Sequence, residues 1–130
     1  MWSPRVLKEE KDILGLEHTD VPLKKDTVRG EGFICGFLDG NTNECLVYAR
    51  RPFECALYPF VICGKQGRFF LGIDLNCPYA AEQYGKDIFE LYVKDLFAAL
   101  SCESARRLLK NNMHIAQDYP EVKEVRVLDI

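Results

Sequence analysis

At 130 residues, with 48% hydrophobic and 28% charged residues, the chain has the make-up of one soluble globular domain and is too short for two. A net charge of −3 excludes a nucleic-acid binder that works through bulk positive charge, and no apolar run is long enough to span a bilayer. The start, Met1-Trp2-Ser3-Pro4-Arg5, becomes charged before an apolar signal core can form, so a cytoplasmic location is expected, where thiols stay reduced.

Ser3 as N-cap and Pro4 at the first helical position predict a short helix, with Val6, Leu7, Ile13, Leu14 and Leu16 on its apolar face and Gly15 near its end. Residues 17–32 read as an irregular connection. Residues 33–38 form an apolar strand that turns through Asp39-Gly40-Asn41-Thr42-Asn43 into a second at 45–48, a hairpin signal. Pro52 opens a short helix that Pro59 ends. Residues 60–63 and 68–73, separated by Gly64-Lys65-Gln66-Gly67, predict another hairpin, followed by a turn at 74–78.

From about Ala80 the period becomes helical. Ile88, Leu91, Tyr92, Leu96 and Leu100 define one face, widened by Phe89, Val93 and Phe97. A second helix is expected from Ser101 or Ser104 towards Ala116, and residues 121–130 as a strand returning to the sheet or an edge used for association. The fold class expected is α+β: a small cysteine-bearing β-rich centre with short helices, packed against two C-terminal helices. It is expected as a single domain with a cysteine region at 1–79, a helical part at 80–118 and a tail or edge strand at 119–130. A monomer or homodimer is expected, with a protein partner left open and neither nucleic acid nor membrane as partner.

Cys35, Cys45, Cys55 and Cys77 follow the spacing C-x9-C-x9-C-x21-C, which sets each thiol at a separate turn, strand end or short helix. Thiols placed that way are metal ligands, disulfide partners or scattered core residues, and a reducing compartment weighs against the disulfides. Cys55 falls in the first turn of the helix opened by Pro52, where free N–H groups favour a thiolate, and Arg50 and Arg51 would offset its charge. The close C-x2–4-C pairs of zinc fingers do not occur. Singly spaced thiols lean towards an iron–sulfur centre, with a zinc site assembled from separate loops as the alternative.

Cys63 and Cys102 read as buried packing residues. Arg51 is either a plain helix start or a donor to the sulfurs. Tyr48, Tyr58, Phe60 and Tyr79 read as packing that would also exclude water from a centre. His18 reads as an exposed loop residue, and Asp39, Glu44, Glu54 and Asp74 as turn and surface carboxylates.

The stretches Cys35-x-Phe37-Leu38, Cys45-x-x-Tyr48-x-x-Arg51-Pro52-x-x-Cys55-x-x-Tyr58-Pro59-Phe60 and Cys77-Pro78 together resemble the YkgJ-type cysteine-cluster proteins. These carry a zinc- or iron-chelating (CxxCxxCC) domain, and the pattern also occurs in flagellin lysine methylase. The resemblance covers residues 35–79 and extends to the segment that opens with Ser3-Pro4. It implies that Cys35, Cys45, Cys55 and Cys77 are ligands in a metal or iron–sulfur site; a [4Fe–4S] cluster or zinc is the cofactor expected, and Arg51 and Tyr58 are read as the residues on its side. It implies no established reaction.

The family's upstream C…CC group would precede Ser3-Pro4, and the sequence as read starts at Met1-Trp2, so up to half of the implied ligands stand outside it. The expected function is a small cytoplasmic metal-binding protein with a structural, electron-transfer or metal-handling role. The alternatives are a methyltransferase-like enzyme related to flagellin lysine methylase and a metal-free interaction module.

Overall fold

The structure is a computed structural model that describes residues 3–130, and the reading of the Met1-Trp2 start lies outside them. The chain divides into two compact units, Met1–Ala56 and Leu57–Ile130. Among the described residues, small antiparallel sheets and five α-helices make the chain α+β, as its sequence predicts. Among the described residues, no helix is long and apolar enough to cross a membrane.

The first unit starts differently from the expected helix. Ser3 does not cap one: its hydroxyl donates to the Val21 carbonyl at 2.9 Å. The Val6 N–H bonds the Thr19 carbonyl at 2.7 Å and the Val21 N–H the Pro4 carbonyl at 3.3 Å, so residues 4–6 run extended. Val6 is β-branched and fully buried there, which favours the extended course over a helix. The helix α1 is confined to Lys8–Lys11, and Gly15, at φ 70°, closes the turn after it.

Residues 17–32 are not wholly irregular, because β1, Leu23–Lys25, pairs antiparallel with β2, Phe33–Cys35, setting Leu23 opposite Cys35. The loop between them is held by Asp26, whose Oδ1 accepts the Val28 and Arg29 N–H groups and whose Oδ2 meets the Arg29 guanidinium at 2.6 Å. A second small hairpin joins β3, Leu38–Asp39, to β4, Glu44–Cys45, with Leu38 opposite Cys45. A 3-10 turn at Tyr48–Arg50 leads to α2, Phe53–Leu57, which follows Pro52 as expected.

The second unit is built on an antiparallel sheet of β5, Phe60–Lys65, β6, Arg68–Ile73, and β7, Lys123–Leu128, with β6 in the middle. Gln66 and Gly67, at φ 54° and 75°, form the tight turn that joins β5 to β6. The tail is therefore a strand of this sheet, set beside β6. A turn at Asp74 leads into α3, Pro78–Gln83, then α4, Asp87–Ser101, and α5, Glu103–Lys110.

Two expectations change here. Ser101 ends α4, donating to the Phe97 carbonyl at 2.7 Å, and Cys102 caps α5. The buried face of α4 is Phe89, Val93 and Leu100, whereas Ile88, Leu91 and Tyr92 are 70%, 62% and 57% exposed. Phe60 of β5 stacks on both Phe89 and Tyr92, at 5.8 and 5.7 Å between ring centroids, and Phe89 is the one that is buried.

Candidate metal centre

Three elements of the first unit each contribute one thiol: Cys35 ends β2, Cys45 ends β4, and Cys55 lies within α2. All three are half-buried and free of disulfides. Leu23 pairs with Cys35 and Leu38 with Cys45, and strands of two or three residues leave both thiols at strand ends rather than inside a continuous ladder.

Cys35 and Cys45 both act on the Cys55 thiol. The Cys55 thiol is pushed up to about 12, first by burial and then by the negative charge that Cys35, Cys45, Glu54 and Glu10 carry when ionised. A cation bound there would reverse that balance and favour the thiolate. Soft thiolate donors are the set that zinc and iron–sulfur centres take, so the donor chemistry fits such a group. Among the described residues, no three His, Cys, Asp or Glu side chains stand in a group that holds a metal ion.

In the second unit, Cys77 caps α3, and its N–H bonds the Asp74 carbonyl at 3.3 Å. Tyr58 is beside it. The phenol donates to Asp74 Oδ2 at 3.1 Å, and it is pushed up to about 12 by burial, by that hydrogen bond and by the nearby Asp74 and Cys77 charges. Arg51 lies over the Tyr48 ring at 4.5 Å from its centroid and donates to the Tyr48 carbonyl at 3.3 Å.

The remaining candidates separate cleanly. Cys63 is fully buried among Val61, Phe70, Tyr119 and Val122, the packing role expected of it. Cys102 is exposed instead of buried, at the N-cap position between α4 and α5. There its sulfur sits 3.3 Å from the Ser104 hydroxyl, and this bond, with the helix-end N–H groups, lowers its pKa. Asp39 and Asp74 take the turn roles expected, accepting the Asn41 and Asn76 N–H groups at 2.9 Å each. His18 is exposed.

Glu54 is also placed differently from its expected surface role. It is 1% exposed rather than on the surface, and its Oε2 accepts the Arg5 N–H at 2.6 Å. The only signal for this was its place beside Cys55 in a helix too short to bury its carboxylate by itself.

A family model described as a putative zinc- or iron-chelating domain (CxxCxxCC) matches residues 4–83, more than half of the chain. Comparison with curated proteins and with solved structures found no match.

Proposed function

The chain belongs to the CxxCxxCC family, and from that premise we propose that it is a metal-binding protein in which Cys35, Cys45 and Cys55 are ligands of an iron–sulfur cluster or of zinc. What supports this reading is the family match over residues 4–83, with the charges of Cys35 and Cys45 acting on the half-buried Cys55 thiol as the local observation beside it. We add Cys77 as a fourth ligand on the sequence pattern alone. One thiol per element suits an iron–sulfur centre more than a paired zinc motif, and such a centre supplies one-electron chemistry when bound. The role that follows is electron transfer or metal handling, with Arg51 and Tyr58 on the cofactor side. Six free thiols suit a reducing compartment, so the cytoplasm is the proposed location.

The test is iron, zinc and sulfide analysis of protein purified and reconstituted without oxygen. An iron–sulfur protein gives about four iron and four sulfide per chain with broad sulfur-to-iron absorbance, whereas a zinc protein gives about one zinc and no visible band. Serine at Cys35, Cys45 or Cys55 should abolish or halve the metal content, and serine at Cys77 reports whether the fourth thiol takes part. A reconstituted protein holding neither metal would sink the proposal.

A further inference from the structure

We infer that Glu10 and Glu54 are positioning residues that hold the Cys55 thiol in place, an inference that rests on the metal-binding reading above. Cys55 rides on α2, which has five residues and is too short to hold its own direction. Two carboxylates tie that helix to the start of the chain, one from each side. Glu54, next to Cys55, reaches out and accepts the Arg5 N–H at 2.6 Å. Glu10, from α1, reaches in and accepts the Phe53 N–H at 2.8 Å while its other oxygen accepts the Leu7 N–H at 2.9 Å.

These are charge-assisted bonds from backbone donors, the stronger kind. Glu54 is 1% exposed, a placement that is costly for a carboxylate unless it is bonded. A surface helix could place its first turn without either group.

The test is site-resolved alkylation of the metal-free full chain with iodoacetamide, read by mass spectrometry, together with Co(II) titration read by thiolate charge-transfer absorbance. Glu54→Ala should raise Cys55 alkylation about tenfold or more, while Cys35 and Cys45 change less than about threefold. Its Co(II) absorbance should fall by about a quarter to a third, one thiolate's share. Glu54→Gln loses the charge but keeps an acceptor for the Arg5 N–H, so it should stay within about threefold of the wild type.

Glu10→Gln must give up one of its two acceptor roles and should fall between the two; it carries the test if Glu54→Ala does not fold. The inference is overturned if Glu54→Gln reacts as fast as Glu54→Ala, which would mean charge and not position. It is also overturned if Glu54→Ala lowers thermal stability yet leaves both Cys55 readouts unchanged. A wild-type chain without Co(II)–thiolate absorbance defeats the metal reading alone, and alkylation then still decides whether the carboxylates hold Cys55.

Discussion

Two thiols reach about 12 by different routes, Cys55 through burial and its ionisable neighbours and Cys63 through burial in the core with weaker contributions from Asp118 and Glu124. Both are raised from 9.0, so between those values the unfolded chain has released protons that the folded chain keeps. Stability from these groups is full below about pH 9 and is lost as pH rises towards 12. Tyr58 acts in the same direction from 10.0 upward. Urea midpoints of the metal-free protein should therefore fall between pH 8.5 and 10.5, with Cys63→Ala, though less stable throughout, showing the shallower fall; equal slopes would contradict the assignment. At this scale the family was legible in the cysteine spacing, since the family model matches residues 4–83. The burial of Glu54 and the exposure of Cys102 were not, since each depends on a neighbour distant in sequence or on where a helix breaks.

Among the elements, α4 shows why a helical period can be read correctly and its direction wrongly. Two apolar stripes overlap along it, and the one that holds Phe89, Val93 and Leu100 is buried, although Phe60 stacks on both Phe89 and Tyr92. Phe89→Ala should then cost about 3–5 kcal/mol, whereas Leu91→Ala, at a position 62% exposed, should change stability by no more than about 0.5 kcal/mol. Chemical denaturation of the two variants decides it, and comparable losses would restore the other face. Local signals with a mechanism survived elsewhere: α2 follows Pro52, and the turn between β5 and β6 falls within the expected Gly64–Gly67, narrowed to Gln66-Gly67 because β5 runs on to Lys65. The misses have physical causes too. Leu23, Lys24 and Lys25 of β1 are all exposed, so no alternation marks the strand, and the Ser3-Pro4 helix start is overridden by the pairing of residues 4–6 with 19–21.

For the whole molecule, the two units differ in what holds them together. The first has paired strands of two or three residues in two-stranded sheets, which are marginal in water without added support. The second has three strands of six residues and a buried core that includes Val61, Ile62, Leu71 and Ile73. A metal bound by thiols of the first unit would contribute folding free energy there, because unfolded thiols do not form the site. Stripping the metal with a chelator should therefore speed hydrogen exchange at the Val6, Gly36 and Leu46 amides, whose bonds to Thr19, Pro22 and Phe37 fix that unit. The β5–β6 amides should keep their protection. Cys35→Ser without a chelator should reproduce the pattern, since it removes a proposed ligand. Equal loss of protection in both units would mean that the metal supports the chain as one cooperative body, and no loss in either would mean that the thiols contribute nothing to its fold.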